Sequence, residues 1–131
     1  MRFESKVLVI TGASSGVGRA ASLMAASEGA KVYSFARRKE KLEALAEEAK
    51  SLGYKGEIIP VPGDVSKQED VDRLFEKVKN ENEKLDVLIA NAGIMDKFEP
   101  VTHCQEETFD RIFEVNVKGS FRLFKAAIPL M

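Results

Sequence analysis

The sequence predicts an α/β fold: a parallel β-sheet in the order 3-2-1-4 with helices on both faces. Three observations carry that expectation. Short apolar runs alternate with stretches of helical spacing along the whole chain, which is βαβ architecture. The runs are nearly continuous, as strands buried on both faces require. Right-handed crossovers and the usual winding of such units then fix the order.

Taken in order, Lys6 to Thr11 is the first strand, with Val7-Leu8-Val9-Ile10 at its centre. An alanine-rich helix follows, with Val17, Ala21, Met24 and Ala25 on one side and Gly29 as its C′ residue. Lys31 to Ala36 is a second strand, rich in β-formers. After the charged segment Arg37-Arg38-Lys39-Glu40-Lys41, a helix carries the stripe Leu42, Leu45, Ala46, Ala49 and Leu52, closed by Gly53. Ile58 to Val61 is a short third strand, which Pro60 assigns to a sheet edge because proline has no N–H for the ladder. Ser66 and Glu69 have capping-box spacing ahead of the stripe Val71, Leu74, Phe75 and Val78. Leu85 to Ala90 is the fourth strand, and 91–105 reads as loop. From Glu106 onward, Phe109, Ile112, Phe113, Val117, Ser120 and Phe124 mark a long helix.

Composition narrows the function. The 131 residues suit one domain, and 44% apolar with 31% charged residues reads as globular rather than disordered. A net charge of −1 offers no general field for nucleic acid or an acidic membrane. No apolar run approaches the ~20 residues of a membrane span. The amino-terminal residues lack a signal peptide's apolar core, and Cys104 is the single cysteine. The expected location is the cytoplasm, with no nucleic-acid or membrane partner. His103 and Cys104 are neighbours in the loop; a metal site needs three or four converging ligands, so none is expected.

In an open parallel sheet, ligands bind beyond the carboxyl ends of the strands, where the order reverses. The four predicted ends carry the unusual residues. The first runs into Thr11-Gly12-Ala13-Ser14-Ser15-Gly16-Val17-Gly18, strand to glycine turn to helix. The first N–H groups of a helix have no internal partner and the dipole adds positive charge there, so this turn suits a phosphate. Its spacing is G-x-x-x-G-x-G rather than G-x-G-x-x-G, and an ordinary glycine-rich turn is the alternative reading. At the second end, Arg37 and Arg38 stand where an NAD site places an acid; arginine there accommodates a 2′-phosphate, so NADP is expected over NAD. Asp64, beside Val65, is either an acceptor for an adenine amino group or a turn aspartate near Ser66. Asn91-Ala92-Gly93 is either part of the site or a plain turn. Asn116 is assigned to the apolar face of the last helix. A buried amide needs partners, so it either bonds to backbone or holds a water or a catalytic side chain.

Together, Thr11-Gly12-x-x-x-Gly16-x-Gly18, Asp64-Val65, Asn91-Ala92-Gly93 and Asn116-Val117-x-Gly119 resemble the amino-terminal part of the short-chain dehydrogenase/reductase family, in its order and approximate spacing. The resemblance covers almost the whole chain and implies one NAD(P)-binding Rossmann domain over 1–131. It implies that Gly12, Ser14, Ser15, Gly16, Val17 and Gly18 line the cofactor's phosphates and adjoining ribose. Arg37, with Arg38, would meet a 2′-phosphate. Asp64 and Val65 would flank the adenine, and Asn91, Ala92 and Gly93 the nicotinamide-side ribose. Asn116 would match the asparagine of the family's Asn-Ser-Tyr-Lys catalytic set.

One departure is large. The family's Tyr-x-x-x-Lys pair has no counterpart: Tyr33 is followed four places on by Arg37, and Tyr54 by Ile58. The expectation is therefore a Rossmann-like sheet truncated before the later strands, part of an NADP-dependent oxidoreductase of carbonyls or alcohols. The 131 residues alone would be inactive. The alternative is a non-catalytic NADP-binding or partner-binding module. The last helix and the open edge of the fourth strand would favour self-association.

Overall fold

Two adjacent strands, Val7–Thr11 (β1) and Lys31–Ala36 (β2), form the centre of a four-stranded parallel sheet in this computed structural model, which describes residues 1–95 and 98–131. Glu57–Pro62 (β3) lies outside β2, and Val87–Ile89 (β4) lies beside β1, so the order is β3-β2-β1-β4 as expected. Pro60 is indeed on an edge strand. The continuous apolar runs serve two cores. Val7, Val9, Tyr33 and Phe35 point into one, Leu8, Ile10 and Val32 into the other. This is the alternation of a pleated strand with both faces covered.

One face is covered by helices Gly16–Ser27 (α1) and Lys39–Ser51 (α2). In α2 the predicted stripe holds at Leu42, Leu45 and Ala49, whereas Leu52, the C-cap, is exposed. In α1 the predicted face is corrected. Val17 and Met24 are 74% and 63% exposed, and the buried face is Gly18, Ser22, Ala25 and Ala26. Small residues let α1 lie close to the sheet. The buried Ser22 hydroxyl is satisfied by the Gly18 carbonyl at 2.9 Å and the Ser34 hydroxyl at 3.0 Å. Gly29 and Gly53 follow these helices with φ +93° and +72°, the left-handed C′ conformation.

The opposite face packs against Gln68–Glu81 (α3) through Val71, Leu74, Phe75 and Val78, as the spacing required. The capping box at Ser66 is corrected. The N-cap is Lys67 without a side-chain cap, and the Ser66 hydroxyl donates to Asp64 Oδ1 at 2.7 Å. The 91–105 segment holds one 3₁₀ turn, Val101–His103; its positions 96 and 97 lie outside the described residues.

The final helical run is continuous but not uniform. Glu106–Phe113 (α4) passes through a π-helical turn, Glu114–Lys118, into Gly119–Ala127 (α5). The sheet-facing side carries Val115, Gly119, Arg122, Leu123 and Ala127. Phe109, Phe113, Val117, Phe121, Phe124 and Ile128 are exposed instead, so most of the predicted stripe faces outward. Arg122 is buried and donates to Glu114 Oε1 at 2.6 Å and to the Val65 carbonyl at 3.3 Å. Gly119 is required where α5 crosses Val65, since a Cβ there would lie 2.9 Å from its Cγ2. No helix among the described residues is long and apolar enough to cross a membrane.

β4 is three residues long against a predicted six, and Asp86 sets where it begins. The Val7 N–H donates to Asp86 Oδ2 at 2.8 Å, and the Asp86 N–H to the Val7 carbonyl at 2.9 Å. The Val7 N–H, with Lys84 at 3.3 Å, holds the Asp86 carboxyl below its ordinary value. A group depressed in the folded state stabilises above its unfolded pKa, and the gain disappears as pH falls through its folded value. Asp86→Asn should therefore cost about 1 kcal/mol at neutral pH, with the gap to wild type closing below about pH 4. Denaturant unfolding measured across that range checks the expectation; a gap independent of pH would contradict it.

Candidate cofactor site at the strand ends

The residues at the four strand ends meet in one cleft of ≈ 290 Å³. From β1 it takes Gly12, Ser14 and Ser15; from β2, Arg37 and Arg38; from β3, Asp64 and Val65; from β4, Asn91, Ala92 and Gly93. Thirteen cofactor-side residues were expected from sequence, and these ten line the cleft. Gly16, Val17 and Gly18 do not line it. Gly16 and Val17 are exposed on the first turn of α1, and Gly18 lies beneath Gly12.

The turn is built on close approach. Gly12 has φ +63°, and a Cβ on it would lie 3.0 Å from both the Ala92 Cα and the Asn91 Nδ2. A Cβ on Gly18 would fall 2.3 Å from the Gly12 carbonyl oxygen, so no other residue fits without displacing backbone. Gly16, at φ +56°, meets nothing nearby; there the requirement is conformational. Ser15 is the N-cap of α1 and makes no side-chain cap, so the first-turn N–H groups are left for an external acceptor. A backbone cradle, a dipole-positive helix end and two arginines fit a dinucleotide phosphate group.

Asp64 is the most constrained polar residue here. Burial raises its carboxyl pKa. The hydrogen bonds from the Ser66 hydroxyl and N–H, with the nearby Arg111 and Arg37, outweigh this and lower it. Its N–H donates to Asp70 Oδ2 at 2.9 Å, tying the loop to α3. Gly63 before it has no room for a side chain, since a Cβ would meet the Phe35 ring at 2.5 Å.

Both ends of the Asn116 amide are engaged. Its Oδ1 accepts from the Ile94 N–H at 2.8 Å, and its Nδ2 donates to the Ile94 carbonyl at 2.8 Å. It sits on the π-helical turn, half-buried, rather than on the apolar face. Of the two sequence readings, the structure displays the backbone-bonding one. Ile94 itself lines the cleft, so Asn116 fixes one wall.

Two polar contributors were given no role from the sequence, although Thr11 stands in the quoted motif. Thr11 is wholly buried, and its hydroxyl accepts from the N–H groups of Asn91 and Ala92, both at 3.0 Å. Its position as the last residue of a strand before glycine was the available signal. Arg111 lines the cleft from α4, with Nη2 3.7 Å from Asp64 Oδ2 and Nη1 donating to the Ser66 hydroxyl at 3.1 Å. On the sequence it is one charge among many on an amphipathic helix, so nothing marked it. His103 and Cys104 do not line the cleft, and no group of three His, Cys, Asp or Glu converges among the described residues.

Comparison with known proteins agrees with this geometry. The family model for short chain dehydrogenase matches residues 6–131. A 3-oxoacyl-acyl-carrier-protein reductase of Thermotoga maritima is 37% identical over 131 residues, 100% of this chain and 52% of that protein. The crystal structure of L-sorbose reductase from Gluconobacter frateurii, complexed with NADPH and L-sorbose, superposes with a TM-score of 0.91 at 32% identity, over 98% of this chain and 48% of that one. A 3-ketoacyl-acyl-carrier-protein reductase from Brucella melitensis, complexed with NADH, gives 0.88 at 37% identity, over 97% and 50%. The chain thus spans about half the length of the relatives it matches. With the sheet order, the glycine cradle and the matched span in agreement, the chain belongs to the short-chain dehydrogenase family.

Proposed function

We propose that the chain is the cofactor-holding part of a cytoplasmic NADP-dependent oxidoreductase that interconverts a carbonyl and an alcohol. One observation carries the reading. Arg37 and Arg38 stand at the corner of the cleft, and neither forms an ion pair within 4.0 Å among the described residues. A dinucleotide with a 2′-phosphate would supply the missing anion.

In this reading the bound nicotinamide cofactor supplies or takes the hydride. Gly12, Ser14 and Ser15, with the first-turn N–H groups of Gly16, Val17 and Gly18, hold the pyrophosphate. Arg37, assisted by Arg38, takes the 2′-phosphate. Asp64 accepts from the adenine amino group beside Val65. Asn91, Ala92 and Gly93 face the second ribose. Asn116 holds the Ile94 segment that closes this side. The substrate would be a small carbonyl or alcohol, such as a 3-oxoacyl thioester or a hydroxysteroid.

No tyrosine or lysine is among the described residues that line the cleft. The Tyr33 ring is buried, and its hydroxyl donates to Glu81 Oε1 at 2.7 Å and accepts from Asn82. Burial and the Glu81 contact push it up to about 12. Tyr54 lines a separate hollow between α2 and β3. This placement also favours a second reading, a non-catalytic NADP-binding or partner-binding module, for these 131 residues alone.

Two measurements test these readings. Replacing Arg37 and Arg38 by alanine should weaken NADPH about tenfold or more and NADH little, as the loss of charge-assisted phosphate contacts predicts. Equal losses in fluorescence titrations would remove the 2′-phosphate role. The purified 131-residue chain should show no NADPH oxidation with carbonyl substrates; measurable turnover would refute its dependence on an acid–base group from outside these residues.

The exposed face of α4 and α5 supports self-association. Phe109 and Phe113 stack with ring centroids 4.6 Å apart, and Val117, Phe121, Phe124 and Ile128 continue the face. Such a patch is characteristic of interfaces. Sedimentation velocity should find an assembly that Phe113→Asp with Phe121→Asp dissociates. A wild-type monomer at all concentrations would contradict this.

A further inference from the structure

We infer that Arg111 determines cofactor selectivity at one remove: by holding the Asp64 carboxylate from the α4 side, it keeps Arg37 free for the extra phosphate of NADP. The inference rests on the NADP reading proposed above.

Arg111, Ser66 and Asp64 form a closed ring. The Arg111 Nη1 donates to the Ser66 hydroxyl at 3.1 Å, that hydroxyl donates to Asp64 Oδ1 at 2.7 Å, and Arg111 Nη2 lies 3.7 Å from Asp64 Oδ2. The Ser66 N–H also donates to Asp64 Oδ1, at 2.9 Å. Oδ1 is thus held by Ser66, whereas Arg111 is the ion-pair partner of Oδ2. Arg37, in the same cleft, is the next cation acting on this carboxylate. Asp64 therefore lies under the influence of two guanidinium groups, and only Arg111 is within ion-pair distance.

The loop that carries Asp64 has backbone anchors independent of Arg111, which touches it only through the Ser66 hydroxyl and the Asp64 carboxylate. Its N–H is held by Asp70, its carbonyl accepts from the Lys67 N–H at 3.0 Å, and Asp70 itself pairs with Arg73 at 3.5 Å. Removing the Arg111 cation thus releases a carboxylate oxygen rather than the loop. The released charge turns to Arg37, and an arginine already paired with a carboxylate is a poorer partner for phosphate. NADH carries no 2′-phosphate, so its binding does not depend on Arg37 in this way.

The test compares NADPH and NADH affinities by fluorescence titration of the whole chain for wild type, Arg111→Met, Arg111→Lys, Asp64→Asn and the Arg111→Met/Asp64→Asn double variant. Arg111→Met should reduce the NADPH-to-NADH affinity ratio by about tenfold, the scale of one charge-assisted contact. Arg111→Lys retains a cation for Asp64 and should keep the ratio near that of wild type. The double variant should restore the ratio, because a neutral amide does not compete for Arg37. Asp64→Asn alone should weaken both cofactors through the adenine contact and leave the ratio at or above the wild-type value. An unchanged ratio in Arg111→Met, or a double variant that fails to recover it, overturns the Arg111 assignment while leaving the NADP reading intact. A lowered ratio in Asp64→Asn does the same and is readable even where Arg111→Met does not fold. Wild-type chain with no preference for NADPH overturns the NADP reading and this inference with it.

Discussion

The hydroxyl of Thr11 is the contact on which the cleft depends. It sits at the end of β1, wholly buried, where the chain to one side returns through β2 and to the other through β4. Accepting both the Asn91 and the Ala92 N–H uses the two acceptor positions of a hydroxyl, and its proton faces the Ile89 carbonyl at 3.5 Å. This fastens the end of β4 to the end of β1 at the point where the strand order reverses. Gly12 must then turn with positive φ in the space between Ala92 and Gly18. The glycine turn at the cleft is thus a packing consequence of a buried hydroxyl and two missing side chains.

The sheet was legible because its determinants are local. Val7 to Ile10, with Val32, Tyr33 and Phe35, put apolar side chains on both faces, and a parallel sheet with helices on each side buries both. The strand-end clusters were legible for the same reason: once the strands are placed, their ends are placed. Helix faces were legible where large residues mark them, as in α3. They were not in α1, where the packed face consists of glycine, serine and alanine and the larger Val17 and Met24 face outward. Close approach to a sheet selects small residues, so size and burial run in opposite senses there. The Ser66–Glu69 pattern misled because the Ser66 hydroxyl goes to Asp64 rather than to the helix. Arg111 was illegible because its meaning depends on residues 45 and 47 positions away.

The π-helical turn joins the two halves of the cleft wall. Asn116, on this turn, satisfies both backbone groups of Ile94, and Glu114 at its start receives Arg122. Arg122 also reaches the Val65 carbonyl, so one buried guanidinium connects α5, the wide turn and the loop after β3. A buried arginine is tolerated only when its donors are met, and here a carboxylate and a carbonyl meet them. The wall beside Asn91 to Ile94 and the floor at Val65 are therefore held by one connected network. π-helical turns inside helices are often found at functional sites, which accords with this position.

Charge placement gives the cleft its sign although the chain as a whole is nearly neutral. Arg37 and Arg38 precede α2, with Arg38 as N-cap, and Lys39 opens the helix. Cations at a helix N-terminus oppose the dipole, and Glu40 in the first turn offsets this only in part. No side chain caps the helix, so its first N–H groups add to the same positive end. The N-terminus of α1, also uncapped, opens beside the same cleft. Among the described residues that line the cleft, the one carboxylate, Asp64, is bound to Arg111 and Ser66 rather than to the arginines of β2's end. Like charges gathered at one end of a cleft repel one another, and an anion bound beside them would offset that repulsion.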